Sequence, residues 1–309
     1  MAHADAASPG PGDGGRQPRP AVESQHTVDV TFLSPLDKFD TDLEQLAVGD
    51  QVVLRRVTDE DRQLFREPFR RTFPPPEVNK YDFVLETTCP SRERTFDPGQ
   101  AMERFRRVVT AFRLINPGAF ELPVLLACQA ESRALVGAVR PFVSCVVREP
   151  YWFRKEDADE LQDVVGKLCT GHLNDRQSLA LRRFEMAYER WIPEDRLIDH
   201  WIALEALFLP GISDELSFRA SLRIAYYMTA SPDERQRIFD KMRLSYDTRS
   251  RIVHGEPPKA DVGEVASDTE EILRRALRAE VTNLGSLDVE RLDAAIARGG
   301  SPEQEGTLE

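Results

Sequence analysis

Leu244-Ser-Tyr-Asp-Thr-Arg249-Ser-Arg-Ile-Val-His254-Gly255 closes a long predicted helix, and its reading decides the fold of the C-terminal half. Ile238, Met242, Ser245, Tyr246, Arg249 and Val253 recur at three- and four-residue steps, which is one face of a helix. Most of that stripe is apolar or aromatic, yet Arg249 takes a slot where leucine is expected. A guanidinium does not lose its charge, so on a packed face it has to reach a carboxylate, a phosphate or water. Gly255 suits the left-handed position past a helix end, and Pro257-Pro258 prevents continuation. His254 therefore ends the helix.

The neighbouring segments read the same way. Leu161, Val164, Val165, Leu168 and Cys169 form a stripe over 156–172, with His172 on the same side. Asp175 is expected to cap a second helix carrying Leu181, Phe184, Tyr188 and Trp191. Pro193 suits the first turn of a third, with Leu197, Trp201, Leu204 and Phe208 inward. Phe218, Leu222, Ala225 and Tyr226 mark a fourth helix, and Ser231-Pro232-Asp233-Glu234 caps the fifth, which bears the quoted stretch. Helices over 269–284 and after Leu287 follow. Short loops between such helices make antiparallel neighbours, hence an all-α helical bundle over 151–298.

Before Pro150 the periods are mixed. Val28, Val30 and Phe32 alternate as in a half-buried strand, and 51–57, 81–88, 122–127 and 141–147 are strand candidates. A helix capped by Asp59 should run to about Phe73, where three prolines stop it, and another opens at Pro98-Gly99 with Met102, Phe105, Val109 and Phe112 on one face. The fold class is thus α+β: an N-terminal mixed α+β domain over 26–150, then the C-terminal helical bundle. Residues 1–25, rich in Ala, Gly and Pro, are expected to be disordered, and 299–309 to form a loose tail.

The chain has 309 residues and a formal charge of −12, which favours solubility and opposes indiscriminate nucleic-acid binding. No apolar run approaches a membrane span, and no basic segment followed by an apolar run opens the chain, so a cytoplasmic protein without membrane association is expected. The four cysteines, Cys89, Cys128, Cys145 and Cys169, are far apart and read as reduced core thiols. The five histidines share no ligand spacing, so neither metal nor cofactor is expected. No P-loop, no G-x-G-x-x-G after a strand and no H-E-x-x-H occurs.

The stretch Tyr246-Asp247-x-Arg249-Ser250-x-x-Val253-His254-Gly255 resembles the R-x(4–6)-H signature of HEPN domains, in particular the ApeA-like branch. The block Asp195-Arg196-Leu197-Ile198-Asp199-x-x-Ile202-Ala203-Leu204-Glu205-Ala206-Leu207 and the run Leu222-Arg223-Ile224-Ala225 resemble further parts of that branch. Together they cover roughly the C-terminal half. Active HEPN nucleases often carry Asn, Asp or His after the arginine, where this chain has Ser250. The resemblance implies a metal-independent endoribonuclease with a role in antiviral defence or stress-triggered cleavage of RNA, tRNA included. It also implies a homodimer, in which two motifs share one cleft, and an N-terminal domain that answers to a protein or ligand activator.

The chemistry fits those residue types. Metal-free RNA cleavage uses the 2′-hydroxyl as nucleophile and needs proton transfers and positive charge beside the phosphorane. Histidine, titrating near pH 6.5, suits the proton steps, and arginine grips non-bridging oxygens with two parallel hydrogen bonds. His254 is accordingly the expected acid/base and Arg249 the phosphate ligand, with Ser250, Tyr246, Glu205 and Arg223 in support and Lys241, Arg243 and Arg251 contacting RNA. A second reading makes Arg249 a structural partner of Glu205, which sits on an otherwise apolar turn, and His254 a helix-end histidine held by the dipole. The module then binds RNA, a nucleotide or a partner protein, or dimerises, without catalysis. Five residues turn a helix through about 500°, so Arg249 and His254 stand about 140° apart unless the last turn frays.

Overall fold

Alternation of side chains gives the first strand two apolar faces, and the molecule is layered on both of them. In the computed structural model, which describes residues 27–49, 51–69, 77–92, 97–139, 148–212, 214–283 and 287–299, the strands are β1 (Thr27–Pro35), β2 (Phe39–Thr41), β3 (Gln45–Val48), β4 (Val52–Arg56), β5 (Phe83–Arg92), β6 (Leu125–Gln129), β7 (Leu135–Val139) and β8 (Tyr151–Phe153). Six of them form one antiparallel sheet in the order β3-β4-β5-β1-β6-β7, and β2 pairs with β8 in parallel. The expected strands over 28–32, 51–57, 81–88 and 122–127 correspond to β1, β4, β5 and β6. The expectations for 1–25, 70–76, 141–147 and 300–309, including Cys145, lie outside the described residues.

One face of the sheet, with Leu33, Val84, Leu126 and Cys128, is covered by α1 (Asp59–Arg66) through Phe65. Thr58 caps this helix, one residue earlier than expected, because its hydroxyl accepts from the Asp61 amide while the Asp61 carboxylate accepts from the Thr58 amide. Asp61 is fully buried and is neutralised by Arg55 and Arg133, each at 2.6 Å.

The other face, with Phe32, Leu54, Leu85 and Ala127, packs on α2 (Gly99–Ile115), and the same apolar cluster continues into the helices that follow. Those are α3 (Ala158–Thr170), α4 (Asp175–Tyr188), α5 (Pro193–Phe208), α6 (Leu216–Met228), α7 (Pro232–Val253), α8 (Val262–Thr282) and α9 (Val289–Ala297). The fold class is α+β; residues expected to open the helical bundle at 151 instead form strand β8, and the helices after it join the sheet half without a break in the core: Phe32, Phe112, Leu161, Trp201 and Leu277 belong to one cluster. Phe39, Phe112, Phe120 and Tyr151 seal the junction with ring centroids 5.3–5.8 Å apart. The Tyr151 hydroxyl donates to the Phe112 carbonyl at 2.6 Å.

Further local expectations change. Asn174, not Asp175, caps α4, and its side chain accepts from the amides of Arg176 and Gln177. Ser231 precedes α7 without a side-chain capping bond, so Pro232 at the first position sets the start. Helix α8 begins seven residues earlier than expected, where the Asp261 side chain accepts from the Glu264 amide. Cys89 and Cys128 are buried as expected, whereas Cys169 is exposed and His172 lies past the end of α3, both beyond the packed turns of that helix. No described helix is long and apolar enough to cross a membrane.

Candidate functional site at the end of α7

Helix α7 buries Ile238, Met242, Ser245 and Thr248, half-buries Tyr246 and Arg249, and leaves Val253 52% exposed. Its inner face is fixed by a chain of hydroxyls. The buried Trp201 indole of α5 donates to the Ser245 hydroxyl at 2.8 Å, Ser245 lies 2.6 Å from the Thr269 hydroxyl of α8, and Thr269 donates to the Val265 carbonyl at 2.6 Å. Tyr246 stands edge-on to Trp201 with centroids 4.9 Å apart. The rotation of α7 is thus set by α5 and α8, and that rotation turns Arg249 toward Glu205 of α5.

The Arg249 Nη2 and a Glu205 carboxylate oxygen are 3.6 Å apart, an ion pair without a hydrogen bond. The Arg249 side chain is 21% exposed, and its Nε is buried with no hydrogen-bond partner among the described residues. Burial raises the Glu205 carboxyl above its ordinary value, with the Arg249 charge opposing the shift. Burial likewise raises the Tyr246 phenol, helped by the Glu205 charge.

The helix ends as the sequence indicates. His254 is exposed, its amide donates to the Ser250 carbonyl at 3.1 Å, and Gly255 adopts φ +73°. The Gly255 amide donates to the Ile252 carbonyl at 3.0 Å and the Glu256 amide to the Arg251 carbonyl at 2.8 Å, the paired bonds of a Schellman cap. Because His254 keeps its helical amide bond, the last turn does not fray and the offset of about 140° from Arg249 persists. The backbone of one chain therefore does not bring the two side chains onto one face.

The structure groups Arg249, Tyr246 and Glu205, with half-buried Ser250 beside them on the helix. It does not group the remaining expected residues. Arg223 is a structural clamp rather than a support of Arg249: it donates to both Asp293 carboxylate oxygens of α9, at 2.8 and 2.5 Å, and to the Phe208 carbonyl at 2.6 Å. Lys241, Arg243 and Arg251 form no shared basic surface, because the helix distributes them to different neighbours. Lys241 pairs with Asp268 of α8 at 3.1 Å, Arg243 donates to the Ser217 hydroxyl of α6 at 3.0 Å, and Arg251 holds its own loop through Glu256 at 3.1 Å and the Pro257 carbonyl at 2.7 Å.

A second cluster of buried charge lies deeper. Glu270 of α8 accepts from Arg148 at 2.6 and 2.7 Å, from Arg274 and from the Tyr188 hydroxyl at 3.2 Å, with His200 Nε2 at 3.7 Å. Burial alone would raise the Glu270 carboxyl, but the two arginines outweigh it and hold the group at about 2. His200 is fully buried and falls to about 4 through desolvation, against the attraction of Glu270, so it is neutral near pH 7. The sequence signal was Glu270 and Arg274 at i, i+4 on the packed face of α8. Among the described residues, no group of three or more His, Cys, Asp or Glu side chains is placed to hold a metal ion.

Comparison of the chain with protein-family models, with curated proteins and with solved structures gave no match, so the functional reading stands on these residues and their geometry.

Proposed function

We propose that the chain is a HEPN-type, metal-independent endoribonuclease that works as a homodimer in the cytoplasm and cuts RNA through attack of the 2′-hydroxyl. The observation that carries the reading is that one helix end holds both an arginine whose Nε has no hydrogen-bond partner among the described residues and an exposed histidine. Arg249 binds the scissile phosphate and stabilises the phosphorane, exchanging its loose contact with Glu205 for two bonds to non-bridging oxygens. His254 moves the protons. One helix end holds a single histidine and turns it away from the arginine, so a second copy of α7 completes the site. Exposed Val253, one turn beyond Arg249, belongs to the contact between copies. A defence or stress role, with the sheet half answering to an activator, follows from the resemblance.

A second reading is favoured by two observations, the pairing of Arg249 with Glu205 and the dispersal of Lys241, Arg243 and Arg251. On it the bundle is a non-catalytic module that binds RNA, a nucleotide or a protein and dimerises. The deciding experiment incubates purified protein with total RNA and with tRNA in EDTA, beside Arg249→Ala and His254→Ala proteins that remain folded. Cleavage by the parent alone, with 2′,3′-cyclic phosphate ends, supports the nuclease; equal background from all three supports the binding module.

A further inference from the structure

The sheet half and the bundle meet at a cleft of about 640 Å³, between Pro117, Gly118 and Pro150 on one side and Arg196 of α5 and Glu270 and Arg274 of α8 on the other. Its size is that of a small-molecule site. Arg148 stands in its wall with a side chain only 9% exposed and its guanidinium carbon 3.8 Å from the centre of the Tyr188 ring. Among the described residues, its hydrogen bonds are made by Nη1 alone, to the two Glu270 oxygens. Nε and Nη2 are buried and have no hydrogen-bond partner among the described residues. These two nitrogens form one edge of the guanidinium, the edge that grips two oxygens of a phosphate or carboxylate side by side.

Among the described residues, the neighbours do not supply that acceptor. Arg274 is fully used: its Nε donates to the Arg113 carbonyl at 2.9 Å, its Nη1 to Glu271, and its Nη2 to Glu270 and Tyr188. Glu270 therefore faces two buried guanidinium groups with one carboxylate, and Glu271 is half exposed at the surface. A buried guanidinium edge with two open donors calls for an acceptor with two oxygens.

We propose that this cleft binds a small molecule through one compact oxyanion head, a phosphate or a carboxylate, seated on the Nε–Nη2 edge of Arg148. The rim carries Glu149, Asp268 and Glu271, so the body of the ligand is neutral or cationic and a polyanion such as an RNA strand is disfavoured. The site is independent of Arg249 and His254, and the inference does not rest on the nuclease reading.

Calorimetric titration of the full chain with inorganic phosphate and, separately, with acetate at matched ionic strength tests it. Saturable binding of one anion per chain is expected, and the tighter of the two identifies the head group. Arg148→Lys keeps the ion pair with Glu270 but removes the side-by-side edge, and should weaken binding at least about tenfold. Absence of saturable binding by either anion, or equal binding by folded Arg148→Lys, overturns the proposal. Crystals soaked in tungstate give a reading that needs no variant. An anomalous peak within hydrogen-bonding reach of Arg148 Nε and Nη2 supports the site, and peaks only elsewhere on the surface refute it.

Discussion

Two glycines with no atom within 4 Å of where a Cβ would stand behave oppositely because their backbones differ. Gly255 sits at φ +73° in the cap of α7, where an L side chain is strained. Gly166 lies inside α3 with ordinary helical geometry, where alanine costs nothing sterically and restricts the unfolded chain. Gly255→Ala should therefore lower stability by about 1 kcal/mol, and Gly166→Ala should raise it by roughly 0.5–1 kcal/mol. Urea unfolding of both variants checks the pair of signs; a stabilised Gly255→Ala protein would show that α7 does not end in this cap. The cap also matters for the proposed chemistry, since it keeps His254 in its helical turn and turned away from Arg249.

Helices α5, α7 and α8 are tied together by the hydroxyl chain from Trp201 through Ser245 to Thr269 as well as by apolar contacts. Ser245→Ala leaves the buried Trp201 indole without its acceptor. The expected loss is about 1–3 kcal/mol, read from thermal or urea unfolding. Trp201→Phe removes the donor, so the two substitutions should couple, the Ser245→Ala loss being smaller in the Trp201→Phe background. Additive losses would mean that the bond carries no stability. Much of this was legible in the sequence: the three- and four-residue steps place Ile238, Met242 and Ser245 inward, and Gly255 with Pro257-Pro258 marks the helix end. The pairing of Arg249 with Glu205 was legible for the same reason, since each is a charge on an otherwise apolar turn. What escaped was of two kinds. Strands β2, β3 and β8 are too brief to show a period, and β7 is largely exposed, so burial left no alternation to read. The dispersal of Lys241, Arg243 and Arg251 depends on which neighbour each one meets, α8, α6 or the loop after α7, and spacing along α7 carries no such information.

At the scale of the molecule, the sheet half and the bundle are joined by buried charge as well as by the aromatic seal, and that joint is sensitive to acid. Arg148 follows the sheet, Tyr188 and His200 come from α4 and α5, and Glu270 and Arg274 from α8. His200 has neither ring nitrogen bonded among the described residues and faces Arg148, Arg196 and Arg274 as well as Glu270. Its folded value of about 4 lies below the ordinary 6.5, so below pH 6.5 the unfolded chain binds a proton that the folded chain refuses. Stability is then lost as the pH falls from 6.5 to about 4, with an upper bound of roughly 3 kcal/mol. Glu270, held at about 2 against an ordinary 4.5, adds a second loss in the lower window between those values. Urea midpoints measured between about pH 7 and pH 4.5 should fall steadily for the parent, and His200→Phe should flatten that slope. The lower window should remain in His200→Phe, because Glu270 still has to be protonated between two arginines before its pairs are lost. If His200→Phe keeps the parent's full slope above pH 4.5, the acid sensitivity belongs to another group, and His200 contributes packing alone to the joint between the two halves.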